Sequence, residues 1–278
     1  MATCGQDKTK AIPGHQNPKC YARELEGCSL QTDGEHYISQ AILERIPDRR
    51  VIKSKAVLVR NLSFQKQPDL LEAMGIGNLA SKMLCKIHNN ALSDYDAAFL
   101  ALYEALDALD DEGREPVSDR SIRVIDGDAF ERFMLKAFIG GLYSGNFRLP
   151  TGMTMKGEPP TLEMLHILYR GAEFPARTGM FWIPPKPGNP VTSDHMVLQV
   201  APVPSVDNTM VGEFRVILFG FEFTLLMLGL APSIPSVFDS ASFRPAGIRV
   251  NGFETEIQFK WKNGPQSEEI VFESSPGE

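Results

Sequence analysis

No run in this sequence is both long and apolar enough to span a bilayer. The nearest approach, Phe214–Leu230, is broken by Glu222 and reads better as β-structure. Met1–Lys10 is polar and lacks the apolar core of a secretion signal, so a cytoplasmic protein with no membrane partner is expected. An excess of positive charge is missing too: 28 Lys and Arg stand against 35 Asp and Glu, so a net charge of −7 gives no hint of a nucleic-acid partner. Cysteine is sparse, with four in 278 residues; in a cytoplasmic chain that argues against a disulfide framework and leaves free thiols or a metal site. Internal repeats are also lacking.

What is present suits a folded globular chain. Hydrophobic residues make up 43% and charged residues 23%, enough apolar material for one large or two ordinary domains. Residues 1–17 carry no apolar period and read as a flexible arm. Glu35–Ser39 resembles a strand end or turn leading into a short helix through Ile42, and Val51–Phe64 is strand-like. Leu79–Ile87 reads as the start of a helix. Asp94–Leu109 is the clearest helix, with Phe99, Leu102, Tyr103, Leu106 and Leu109 at helical spacing and Ser93 in front as a cap. The charged stretch Asp107–Arg120, with Gly113 and Pro116, is the expected linker, separating a domain over residues 18–112 from one over residues 121–278.

Beyond the linker, Gly127–Leu142 forms an apolar helix that Gly140-Gly141 and Gly145 should end. Its charged residues Glu131, Arg132 and Lys136 read as a solvated face or as docking contacts between domains. Strand-like runs follow at Met180–Ile183, His195–Val200, Val211–Leu228 and Ile248–Trp261, several alternating with a period of two. The expected class is α+β: a small N-terminal domain, then a helix with an antiparallel sheet.

Two local features carry chemistry. One is charge: Arg45, Arg49, Arg50, Lys53, Lys55, Arg60 and Lys66 lie in a segment whose only acid is Asp48. Such a run is either a phosphate-facing surface or a solvated strand and loop. The other is a set of metal-ligand residue types. Cys85 and His88 have the spacing that lets one helical turn direct two ligands at one tetrahedral ion, and Cys20 and Cys28 could supply the other two. Three thiolates and an imidazole suit a closed structural Zn²⁺ site; separate buried thiols with an incidental histidine are the bland alternative. Glu35-His36 lies between the two pairs, and Asn89 follows His88.

The order Cys20-Tyr21-Ala22-Arg23-Glu24-Leu25, Cys28-Ser29, Glu35-His36-Tyr37-Ile38-Ser39 and Leu84-Cys85-Lys86-Ile87-His88-Asn89 resembles the zinc-containing branch of the HNH endonucleases, which have the ββα-metal fold. The downstream Ala91-Leu92-Ser93-Asp94-Tyr95-Asp96 is similar to bacterial HNH proteins that carry a C-terminal extra domain. The likeness covers roughly residues 18–110. It implies a zinc-stapled ββα-metal nuclease domain that hydrolyses DNA phosphodiester bonds, in some relatives as an effector of antiviral defence. It places His36 as general base, Glu35 and Asn89 as ligands of a catalytic Mg²⁺ or Mn²⁺, and Cys20, Cys28, Cys85 and His88 on the structural zinc. The family's middle asparagine falls best on Asn61 and next best on Asn78. The long gap between His36 and Cys85 implies an insertion, and His88 stands where a second cysteine is more usual.

These residue types match what hydrolysis of a phosphodiester needs. A neutral imidazole, with an unperturbed pKa of about 6.5, can take a proton from water near neutral pH. A hard divalent cation neutralises charge at the phosphoryl oxygens. The C-terminal domain would then bind a protein partner, a ligand, the substrate or a second copy of the chain. The competing expectation is a non-catalytic zinc-containing module that binds nucleic acid or protein.

Overall fold

Helices and strands come in blocks along this chain rather than alternating one by one, and the architecture is α+β. The computed structural model describes residues 7–45, 56–59, 72–114, 119–146, 156–176, 178–183, 197–199, 213–219, 221–227 and 241–272. The N-terminal block comprises β1 (Thr32–His36), α1 (Gln40–Arg45), β2 (Ala56–Val59), β3 (Glu72–Gly75), β4 (Ala80–Cys85), α2 (Lys86–Asn90) and α3 (Ser93–Arg114). Next come β5 (Ser121–Asp126), α4 (Gly127–Ser144) and α5 (Leu162–Arg170). The remainder is β-structure: β6 (Gly179–Ile183), β7 (Val197–Gln199), β8 (Glu213–Leu218), β9 (Phe221–Leu226), β10 (Ser242–Phe243), β11 (Gly247–Val250), β12 (Thr255–Lys260) and β13 (Ile270–Phe272). Among the described residues no helix is long and apolar enough to cross a membrane.

β1 and β4 form an antiparallel pair, with Thr32 opposite Cys85 and His36 opposite Ala80. α2 and then α3 follow β4 directly, giving a strand–strand–helix unit. The helix expected over Leu79–Ile87 is therefore a strand as far as Cys85. Ala80, Lys82, Met83 and Leu84 are good helix formers, but pairing with β1 satisfies the backbone and buries Met83, Leu84 and Cys85. Tertiary contact here outweighs a propensity of a few tenths of a kcal/mol per residue.

The strands of the second half make two sheets. One is antiparallel, in the order β10-β6-β9-β8-β7. The other, β13-β11-β12-β5, is mixed: β12 pairs with β5, and β11 with β13, in parallel. The five-stranded sheet is the antiparallel sheet expected, and the second sheet adds two parallel pairings to it. Register cannot be read from alternation alone, because a parallel partner such as β5 lies more than a hundred residues from β12.

α4 is the centre of the molecule. Asp126 caps it by accepting from the Ala129 N–H, and Gly145, in the left-handed region at φ 75°, ends it. The helix runs through Gly140-Gly141 and two residues past the expected Leu142, to the expected stop at Gly145. Apolar side chains cover α4 almost all round, Leu135 and Ile139 as well as Phe130, Phe133 and Phe138, and a helix of that kind is buried. Phe133 stacks on Phe99 of α3 at 4.0 Å between ring centroids, and Phe130 meets Phe223 of β9 edge-on. A single hydrophobic core thus runs from Cys20 and Leu84 through α3 and α4 to Phe223 and Trp261. α3 continues to Arg114, into the stretch expected as a linker. Its Glu112 is buried there and accepts from the backbone N–H groups of Glu254 and Thr255. Residues 115–118 lie outside the described residues.

Gly140 is where α4 meets the N-terminal hairpin. A Cβ there would sit 2.8 Å from Tyr37 Cβ and 3.0 Å from Met83 Cε, so only glycine permits this approach. Gly140→Val should cost roughly 1–3 kcal/mol through overpacking. Urea unfolding of the two proteins side by side measures it. An unchanged or higher midpoint would mean that the hairpin is not seated on α4.

Candidate metal centre and the adjoining histidine

The segment before β1 is shaped by turns and by backbone bonds to the hairpin. Tyr21 N–H donates to Met83 O at 3.0 Å, Lys86 N–H to Gln31 O at 3.0 Å, and Cys28 N–H to His15 O at 3.1 Å. Asn17 is buried; its amide donates to the Ser29 carbonyl at 3.0 Å and the Leu30 carbonyl at 3.3 Å, while its Oδ1 accepts from the Lys19 N–H. Residues 7–17, expected as a loose arm, are therefore tied down along the Cys28 loop. Residues 1–6, with Cys4, lie outside the described residues. The signal missed in the sequence was Asn17, whose short amide suits bonding to nearby loop backbone.

These bonds bring Cys20 and Cys28 onto the β4–α2 junction. Cys20, Cys28, Cys85 and His88 are all buried, and their ligand atoms lie within 4.8 Å of one another. His88 Nδ1 faces the three sulfurs at 3.4 Å from Cys20, 3.6 Å from Cys28 and 3.3 Å from Cys85. With metal–sulfur bonds of about 2.3 Å and a metal–nitrogen bond of about 2.0–2.1 Å, a tetrahedral ion separates S from N by roughly 3.5 Å. The group could hold a metal ion of the zinc kind. The ring of His88 is steadied by the edge of Tyr169 from α5, 5.2 Å away between centroids.

The electrostatics of the donors agree. A hydrogen bond between Cys20 and Cys85 holds the Cys85 thiol well below the ordinary thiol range and pushes Cys20 far above it, while burial raises Cys28. Without a cation this pocket favours one thiolate and keeps protons on its neighbours. A soft divalent ion would neutralise further thiolates and replace those protons.

Glu35 and His36 end β1, at the other end of the β1–β4 pair from Cys85: Glu35 lies opposite Ser81 and His36 opposite Ala80. Glu35 is 5% exposed, and its Oε1 sits against Nζ of Lys136, itself 2% exposed. The same ammonium reaches both carboxylate oxygens of Asp96 at 2.7 Å. Burial pushes the Glu35 carboxyl up to about 7, with the Lys136 charge pulling against it. His36 is half-buried. Its Nε2 is shielded from solvent and has no hydrogen-bond partner among the described residues. Burial, and then the Lys136 charge, hold its pKa below the ordinary histidine value. Asn89 is half-buried on α2, next to His88. The hydrogen bonds among the described residues do not join Asn89 to Glu35 or His36. Asn78 is exposed in the turn before β4, and Asn61 lies outside the described residues. So do Arg49, Arg50, Lys53, Lys55, Arg60 and Lys66 of the basic run, while Arg45 pairs with Glu104 of α3.

The ligand set expected for a catalytic divalent cation does not fit this arrangement at Glu35. Mg²⁺ keeps several waters around one or two carboxylates, and a 5% exposed carboxylate already in contact with an ammonium leaves no place for them. Lys136 and Asp96 are the residues that sequence reasoning missed here. The available signal was the all-round apolar character of α4, which leaves any charge on it buried and in need of a partner. The chain matches no protein-family model, no curated protein and no solved structure.

Proposed function

We propose that the chain is an endonuclease of the HNH type that hydrolyses DNA, with a structural zinc held by Cys20, Cys28, Cys85 and His88 and with His36 as general base. The observation that carries the catalytic part is the state of His36. Burial, and then the Lys136 charge, lower its pKa, and its Nε2 has no hydrogen-bond partner among the described residues. An unpartnered imidazole nitrogen at the end of β1, on the hairpin whose other end carries Cys85, supports a proton-accepting role where water reaches it. Nε2 takes a proton from the attacking water as the new phosphorus–oxygen bond forms. The bond to the leaving oxygen breaks, that oxygen takes up a proton, and the imidazolium returns its own proton to solvent. A catalytic cation, when bound, would supply charge neutralisation at the phosphoryl oxygens; no step here is routed through Glu35.

Incubating the full chain with plasmid DNA in Mg²⁺, Mn²⁺ or EDTA, beside His36→Ala, tests this reading. Nicked or linear plasmid with the parent protein and none with the variant is the expected result. The enclosure of Glu35 by Lys136 favours a second reading: a zinc-stapled module that binds nucleic acid or protein without cutting. Retardation of DNA with no cleavage under any metal would select it.

A further inference from the structure

The Lys136 ammonium donates to both oxygens of Asp96 at 2.7 Å and forms an ion pair with Oε1 of Glu35, an oxygen that accepts no hydrogen bond among the described residues. These acids come from β1 and from the first turn of α3, and the lysine from the middle of α4, so three elements converge on one positive charge. That is the role a bound cation would play between two acids. The helix that carries the ammonium is held close to the hairpin. Gly140, one turn along α4, lies against Tyr37 and Met83, and Phe133 stacks on Phe99. An unpaired lysine in this setting would be costly, and so would two unpaired carboxylates, so each holds the other in place.

We infer that Lys136 is the resident cation of the Glu35–Asp96 pocket, and that Glu35 is thereby a positioning group for the His36 strand rather than a ligand of a divalent metal. The inference concerns the same site as the nuclease reading and adds the residue that completes it. It also ties the two halves of the chain together, since Glu35 and Asp96 meet their counter-charge on α4. A pair of acids with a lysine seated between them has no vacancy for Mg²⁺ or Mn²⁺, whatever reaction the neighbouring histidine performs.

The test is direct binding of Mn²⁺ to the zinc-loaded full chain, read by loss of the free-ion electron paramagnetic resonance signal. Circular dichroism and zinc content are checked for every protein. Glu35→Gln should leave the number and affinity of Mn²⁺ sites unchanged within about twofold, including the case in which the parent protein binds none. Lys136→Met, where it folds, should gain about one Mn²⁺ per chain, and the Lys136→Met, Glu35→Gln double variant should lose it again. A tenfold or greater weakening of Mn²⁺ binding in Glu35→Gln alone overturns the inference. A folded Lys136→Met with no gained site overturns the assignment of the pocket to a cation. If Lys136→Met does not fold, the Glu35→Gln comparison decides. Absence of plasmid cleavage would end the nuclease reading and leave this binding result fully readable.

Discussion

Cys85→Ala should leave the protein with well under one zinc per chain and lower its melting temperature by roughly 10–20 °C, the largest stability effect expected of any single substitution here. A structural zinc contributes about 10–16 kcal/mol at neutral pH in small peptides, more than the whole net stability of a typical domain at about 5–15 kcal/mol. This site is embedded in a core that extends into α4 and both large sheets, so part of the fold should survive its loss. A loss of about 5 kcal/mol, at about 2–4 °C per kcal/mol, gives the stated range. Cys85 is the right position because it joins β4 to α2 and carries the thiol most readily ionised, through its bond from Cys20. Removing it leaves Cys20, Cys28 and His88 buried around an incomplete site. Protons compete with metal for the thiolates, so a chelator should strip the parent protein faster as the pH is lowered. Calorimetry with elemental analysis of the same samples measures both effects, with Cys4→Ala as the control that should keep its zinc. Full zinc in Cys85→Ala, or none in the freshly purified parent protein, would remove the metal centre.

The difference between what could and could not be read in advance lies in how far apart the interacting residues are. Cys85 and His88 are three apart on one turn, so their common target is visible as spacing. Cys20 and Cys28 are recognisable by type, but their approach to His88 depends on the backbone bonds from Tyr21 to Met83 and from Lys86 to Gln31. β4 was hidden because its residues favour helix and only its partner β1 makes it a strand. Lys136 was hidden more deeply. Read along its own helix it is one of three charges, Glu131, Arg132 and Lys136, that suit either a solvated face or docking contacts between domains, with nothing to name the partners. In the fold all three are engaged: Glu131 with Arg244, Arg132 with the carbonyls of Ile167 and Ala172, and Lys136 with Glu35 and Asp96. Each partner belongs to a different element, and no local pattern announces it. The apolar residues on every side of α4 do announce that these charges are buried, and buried charges are paired.

His36→Ala should lower the rate of plasmid cleavage by about 10²–10⁴-fold while zinc content, circular dichroism and DNA affinity stay at the parent level. The zinc ligands are complete without His36, and its ring is only half-buried, so its removal opens a small space beside Lys136 rather than unfolding β1. The imidazole acts in the transition state, by taking the proton of the attacking water, so the loss belongs in the chemical step and not in binding. Excess Mg²⁺ or Mn²⁺ should not restore the rate, because no cation replaces a base. The pH profile supplies a second, independent readout. The base works only when neutral, so the rate falls as pH drops through the pKa of His36. Burial and the Lys136 charge lower that pKa, so the acid limb should lie below the roughly 6.5 of a free imidazole. Glu35→Gln keeps the carboxamide against Lys136 and should reduce the rate less than His36→Ala, again with no recovery at high metal, because its role is to hold the strand. Single-turnover cleavage at saturating protein, from pH 5 to 8 and with zinc measured in every sample, decides the matter. Parent-level cleavage by His36→Ala at equal zinc occupancy would sink the hydrolytic mechanism and leave the zinc-stapled binding module as the reading that stands.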